Sequence, residues 1–140
     1  MTQARRPRKV GAAIEDLDKV EWRSYQQSCE LKPQSLANYL VAHLGVQMTA
    51  VGAGLSDGRP VRSWQSAEAQ PRPNTLDRIR LLYRVTHILD SVYGSETARA
   101  FLRSASPFLG NRSPLEVIAD DDIQSAQQEV LGAVRGFVEA

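Results

Sequence analysis

The segment from Asn74 to Tyr93 constrains the fold more than any other. Leu76, Ile79, Leu82, Tyr83, Val85, Ile88, Leu89 and Val92 recur at three- and four-residue spacing, yet together cover far more than one stripe. A helix that is apolar round most of its circumference must be buried on two sides. It has to run through the middle of the molecule, joining two modules or shared with a symmetry mate as a two-fold interface. Asn74-Thr75-Leu76-Asp77 reads as its start, with Asn74 as cap and Asp77 returning to it. His87 falls among these apolar positions and reads as a core or interface side chain.

Upstream, residues 1–11 form a basic, Pro- and Gly-punctuated arm, read equally as a phosphate-contacting or a solubilising segment. Residues 12–31 read as a helix with Ile14, Leu17, Trp22, Tyr25 and Cys29 on a broad apolar face. That face would pack on the next module or on a second copy of the chain. Ser35 then suits an N-cap, and Leu36, Tyr39, Leu40, His43 and Leu44 make one face. His43 reads as a core histidine, because no second ligand lies one turn away. Gly45 closes or relaxes that helix. The small, Gly-rich stretch Val46–Leu55, the turn Ser56-Asp57-Gly58 and a short helix from Arg59 to Ala67 follow. Val61 and Trp64 point inward there, leaving Arg59, Arg62, Ser63 and Gln65 outside. This is the composition of a helix-turn-helix, in which Arg pairs with guanine or phosphate and Gln with adenine. The alternative is a helical platform without DNA contact. Pro71-Arg72-Pro73 closes the unit.

Charge sharpens the picture. The net charge of the chain is only +1, but Arg5, Arg6, Arg8 and Lys9 give the first ten residues +4. Arg59, Arg62, Arg72, Arg78, Arg80 and Arg84 outnumber Glu68 and Asp77 between 59 and 84, whereas residues 113–140 carry −5. A basic front suits a polyanion and an acidic back a basic or neutral partner. Cys29 is the only cysteine, so no disulfide framework is expected. No apolar run approaches the roughly 18 residues of a membrane span, and the basic start is not followed by a signal peptide. The expectation is a soluble, cytoplasmic chain without membrane contact.

Past the central helix, Ser95-Glu96 reads as the cap of a short helix. The stretch Phe101–Ile118 then has explicit turn chemistry. Pro107 stops the helix, Phe108 and Leu109 anchor a connector, and Gly110 and Asn111 tolerate positive φ. Ser113, Pro114 and Glu116 open the next helix as a capping box. Asp120, Asp121 and Asp122 read as helix-start capping rather than a metal site, since three consecutive carboxylates diverge. A last stripe, Ile123, Ala126, Val130, Leu131, Val134, Phe137 and Val138, stays amphipathic to the end. No phosphate loop, Cys/His pair or nucleophile elbow is present, so neither catalysis nor a cofactor is expected.

Leu102-Arg103-Ser104, Pro107, Leu109-Gly110 and Arg112-Ser113-Pro114-Leu115 together resemble the toxin-binding domain of the Xre/MbcA/ParS antitoxins. That family shows L-R-S-x-N-P-x-L-G-x-R-x-P-L-x-x-L; here Ser106 replaces Asn and Ile118 the final Leu. Ala53, Gly54, Leu55, Asp57, Arg59, Val61, Trp64 and Pro71 resemble the N-terminal module of actinobacterial members. Ser63 and Ala67 stand there in place of the usual Arg and Gly.

The resemblance implies an all-α antitoxin and autorepressor: a basic arm (1–11), a helix-turn-helix-like DNA-binding module (12–73), and a central helix with a small helical toxin-binding module (74–140). Its partners would be operator DNA, bound as a homodimer, and a RES-domain toxin that degrades NAD or transfers ADP-ribose, while the chain itself takes no cofactor or metal. DNA contact would come from Arg59, Arg62, Ser63, Gln65 and Arg72. Toxin contact would come from Arg103, Phe108, Leu109, Arg112, Arg135, Phe137, Val138, Glu139 and Ala140. The alternative is an orphan regulator of the same fold without a toxin.

Overall fold

A computed structural model describes residues 7–10 and 16–140. Arg5, Arg6, Ile14 and the expected helix start at 12 lie outside the described residues. The chain is all-α. Its helices are α1 (Leu17–Glu30), α2 (Pro33–Gly52), α3 (Arg59–Gln65), α4 (Pro73–Tyr93), α5 (Ser95–Arg103), α6 (Pro114–Asp120) and α7 (Ile123–Glu139). A 3-10 turn, Pro107–Leu109, separates α5 from α6. None of the helices is long and apolar enough to cross a membrane.

Proline decides where several of these helices begin. Pro33, Pro60, Pro73 and Pro114 each occupy a first-turn position, where the missing N–H costs nothing and φ is already helical. This moves two starts away from their expected caps. Helix α2 begins at Pro33, with Ser35 inside its first turn, and α4 begins at Pro73, with no side-chain cap from Asn74. Ser95 is likewise not a cap. It is the first residue of α5, after Gly94 at φ 97°, and its hydroxyl donates to Asp90 at 2.6 Å. Gly45 (φ 86°, ψ 163°) interrupts α2, whose helix then resumes to Gly52. A Cβ at Gly45 would meet nothing within 4 Å, so the backbone angle rather than space is what requires glycine there.

Helix α4 is central, as its residue pattern demands. It packs against α1, α2, α5, α6 and α7 of its own chain, burying Ile79, Leu81, Leu82, Tyr83, Val85, Ile88, Leu89 and Val92. One continuous core therefore runs across position 73/74, from Leu36 and Leu40 through Leu82 to Leu115 and Val134. Gly52 lets α2, α4 and α6 converge, since a Cβ there would lie 2.8 Å from Leu82 Cδ2 and 3.2 Å from Leu115 Cδ2.

Helix α1 departs from expectation. Its buried side is Val20, Ser24 and Ser28, while Trp22, Tyr25 and Cys29 face outward. Polar partners on α4 satisfy the inward face: Ser24 Oγ lies 2.6 Å from His87 Nδ1, and Tyr83 donates its hydroxyl to Gln27 Oε1 at 2.7 Å. Both histidines are held by hydroxyls; His43 Nδ1 lies 2.7 Å from Ser95 Oγ. Burial holds His87 below the usual histidine range, with Asp90 opposing and Arg23 and His43 adding to the shift.

Candidate functional site

Two surfaces carry the candidate residues. The first is the edge formed by α3. Val61 and Trp64 seat this two-turn helix on the core, and Gly58 lets its leading turn close against Val46 Cγ1, where no Cβ would fit. Arg59 projects into solvent and, among the described residues, is tied to Asp57 through Nε at 3.2 Å and Nη2 at 3.2 Å. The same contact holds the Asp57 carboxyl below its ordinary range. Arg62 and Arg72 are exposed and pair with no carboxylate among the described residues. Gln65 is less available than its sequence position suggests. Its amide donates to Asn38 Oδ1 at 3.2 Å and its carbonyl accepts from Gln34 Nε2 at 2.8 Å, both on α2. Ser63 is half-buried, and its carbonyl accepts from Glu68 and Ala69 as the chain turns back.

The six arginines counted between 59 and 84 do not share one face. Arg78 turns inward and donates to the carbonyls of Ile118 and Asp121 at the end of α6. Arg84 packs over Tyr25 of α1. Arg80, on α4 with its Nε shut off from solvent, also lies elsewhere, so Arg59, Arg62 and Arg72 remain at the α3 edge.

The second surface is the corner between α5, the 3-10 turn and α7. Ser106 organises the turn. Its Oγ accepts from the Phe108 N–H at 3.2 Å, and its carbonyl accepts from Leu109 and Asn111. Its own N–H donates to the Arg112 carbonyl at 3.0 Å, closing a small bridge. Gly110 (φ 62°) and Asn111 (φ 66°) supply the left-handed conformations the turn needs. Ser113 then caps α6, accepting from Glu116 N–H at 3.2 Å. Glu116 answers to the Ser113 hydroxyl at 3.1 Å rather than to the cap amide.

The two connector apolar residues part company here. Leu109 turns into the core, whereas Phe108 remains 56% exposed. Its ring lies over α7 at Gly136, where a Cβ would come within 2.9 Å of Phe108 Cε1. Phe137 sits 5.1 Å from Phe101 and, edge-on, 5.3 Å from Tyr93. Phe101, Phe108 and Phe137, with Thr97, Ala100 and Pro107, line an apolar trough of about 350 Å³. Pro7 borders it, and the Val10 N–H donates to the Val92 carbonyl nearby.

The remaining expected partner-facing residues are distributed unevenly. Val138 is buried in the chain's own core with Leu109, because both lie on the inward stripe of their segments. Arg112 makes a two-pronged pair with Asp121 at 2.8 and 2.7 Å, with Glu129 at 3.8 Å. Arg135 reaches Asp18 and Glu21 of α1 at 2.6 and 2.7 Å, and Glu139 at 2.6 Å. These pairs hold both guanidiniums above their usual range and Asp121 below its own. Asp122 alone of the three aspartates caps α7, accepting from Ser125 N–H. Arg103 is exposed at the end of α5, and Glu139 and Ala140 are exposed at the end of α7. Reasoning from sequence missed Phe101 as a trough residue and Gly136 as the seat of the Phe108 ring. Gly136, next to Phe137 on α7, was the available sign of a close approach, while Gly132 one turn earlier has nothing within 4 Å of where its Cβ would lie.

No family model, curated protein or solved structure matches this chain.

Proposed function

We propose that this chain is an antitoxin of the Xre/MbcA/ParS type. Its C-terminal corner docks on a RES-domain toxin and blocks that toxin's NAD-using site, while its α3 edge holds the protein at its own operator. The observation that carries the reading is the Phe108 ring, kept in solvent over Gly136 at the lip of an apolar trough. It stands in the very turn whose residues resemble the family's toxin-binding run. An exposed aromatic set against a glycine is preorganised as an anchor, and buried aromatic anchors dominate interface energetics. Phe108, Phe101 and Phe137 supply the contact, with Arg103, Glu139 and Ala140 at its rim. Arg112 and Arg135 hold the corner's shape through their carboxylates. The chain contributes no chemistry and takes no cofactor in this reading; inhibition is steric.

The test is co-expression with an adjacent RES-domain gene product, followed by pull-down with the wild-type chain and with Gly136→Ala. The added methyl displaces the Phe108 ring, so the complex weakens at least about tenfold, the equivalent of about 1.4 kcal/mol. Stability stays the same or rises by up to about 1 kcal/mol, because alanine favours helix over glycine. A complex indifferent to Gly136→Ala and to Phe108→Ala refutes this docking mode. An orphan regulator is favoured instead if no such gene product binds while the α3 arginines still hold DNA; the solvent-facing Arg59, Arg62 and Arg72 support that second reading.

A further inference from the structure

The short segment Pro7–Val10 crosses the corner that the docking reading leaves open. Pro7 is half-buried and lines the trough beside Phe108 and Phe137. It also borders a second depression, of about 290 Å³, together with Lys9, Tyr93 and Ala140. Pro7, Phe108 and Phe137 line both, so these three rings form the ridge between them.

The segment is neither helix nor strand, and its backbone is fastened where the Val10 N–H donates to the Val92 carbonyl. Val92 lies in the last turn of α4, where a helix leaves its carbonyls without an intrahelical donor. The missing donor thus comes from the far end of the sequence. Pro7 has no N–H of its own, so seating its ring among the aromatics takes apolar surface out of water without stranding a donor.

The hold is small. Arg8, Lys9 and Val10 are exposed, Val10 by 47%. A segment with so little burial detaches locally while the core stays folded. Its position nevertheless matters, because it sits on Phe108, the side chain that a docking partner has to reach. Such a partner binds only the molecules from which the segment has lifted, and its apparent affinity falls by that fraction.

We propose that Pro7–Val10 is an autoinhibitory strap, seated through Pro7 on Phe108 and Phe137 and through Val10 on the end of α4, which must leave before a partner fills the trough. The competition rests on the reading of this corner as a docking surface, but the strap itself is measurable without a partner.

Amide hydrogen exchange of the full chain, followed by NMR at Val10, tests it. In the free wild type Val10 exchanges at least about tenfold more slowly than an unstructured amide, the mark of a strap closed about nine-tenths of the time. Pro7→Gly and Phe108→Ala return it to the unstructured rate, while the Leu82 amide inside α4 keeps its protection. Val10→Pro removes the donor. Its Phe108-dependent affinity for the apolar dye anilinonaphthalene sulfonate rises by the factor that the protection measures, about tenfold. Pro7→Gly, which keeps the donor, gives a gain of the same sign. With an adjacent RES-domain gene product, Val10→Pro likewise forms the tighter complex, and Val10 of the wild type loses its protection on binding. An unprotected Val10 in the free wild type, a dye affinity unmoved by both variants, or a complex in which Val10 stays protected overturns the strap. Protection and dye gain without any bound RES-domain product count against the antitoxin reading and support the strap.

Discussion

The α3 edge and the α5–α7 corner are both rich in arginine, and they use it in opposite ways. At and beside the corner, every guanidinium but that of Arg103 is engaged among the described residues: Arg99 of α5 on the His43 carbonyl, Arg112 on Asp121, Arg135 on three carboxylates and, at the end of α6, Arg78 of α4 on two carbonyls. What the corner presents to solvent is Phe108 and the trough beneath it. At the α3 edge Arg62 and Arg72 meet water, and Arg59 is held, among the described residues, by an exposed carboxylate two residues away. An exposed pair of that kind is weak and screened by solvent, and yields to a phosphate. The one region offers apolar shape and the other open positive charge, so they suit different kinds of partner, although both rest on one core.

That contrast can be broken most sharply at the core itself. Leu82 is fully buried beneath Gly52 and beside Leu115, where the two regions meet. Leu82→Ala should cost about 2–5 kcal/mol, and calorimetry should still record one transition. Two separate transitions would mean that the regions fold independently. Next comes Arg78→Ala, which strips the Ile118 and Asp121 carbonyls of a charged donor. It should lower stability by about 1.5–3 kcal/mol in urea titration while leaving any DNA affinity intact.

The mirror experiment is Arg59→Ala/Arg62→Ala/Arg72→Ala. Thermal stability should be unchanged, since all three side chains face solvent. Affinity for the upstream DNA should drop at least tenfold, and the salt slope should fall by about 0.9 for each phosphate left without its arginine. A DNA complex insensitive to the triple change would dissolve the contrast. The smallest effect concerns His87, at the α1–α4 contact. Burial lowers its folded-state pKa, so below the ordinary histidine value near 6.5 the unfolded chain takes up a proton that the folded chain refuses. Stability is therefore full above about pH 6.5 and declines as pH falls below it. Urea unfolding at pH 7.5 and 5.5 should show the decline in the wild type and less of it in His87→Gln.

Much of this architecture is written locally. The central helix follows from an apolar pattern too broad for one stripe. The corner turn follows from Pro107, Gly110, Asn111 and the Ser113-Pro114 start, whose roles depend on near neighbours alone. The seating of α3 by Val61 and Trp64 has the same local origin. What could not be read are the choices made across long separations. Arg135 and Asp18 are 117 residues apart, and nothing near either reveals the pair. The sum of charge along residues 59–84 likewise held no sign that Arg78 would be drawn inward by backbone carbonyls of α6. Helix α1 misled for a related reason. Its inward polar residues are satisfied, Ser24 by His87 and Gln27 by Tyr83 of α4 and Ser28 by the Tyr25 carbonyl, so Trp22, Tyr25 and Cys29 are left outside.

The Arg78 contact also says where the chain tolerates a change of length. Because the guanidinium grips the last carbonyls of α6, the heading of α7 is indexed to the opening turn of α4. One residue added between Ile118 and Asp122 would rotate everything downstream by about 100° if propagated as helix, swinging Phe137 out of register with Phe101. The exposed stretch from Ser66 to Gln70 closes back on Ser63 and Trp64 of α3, so an engineered insertion there leaves the register of α4 against α7 untouched.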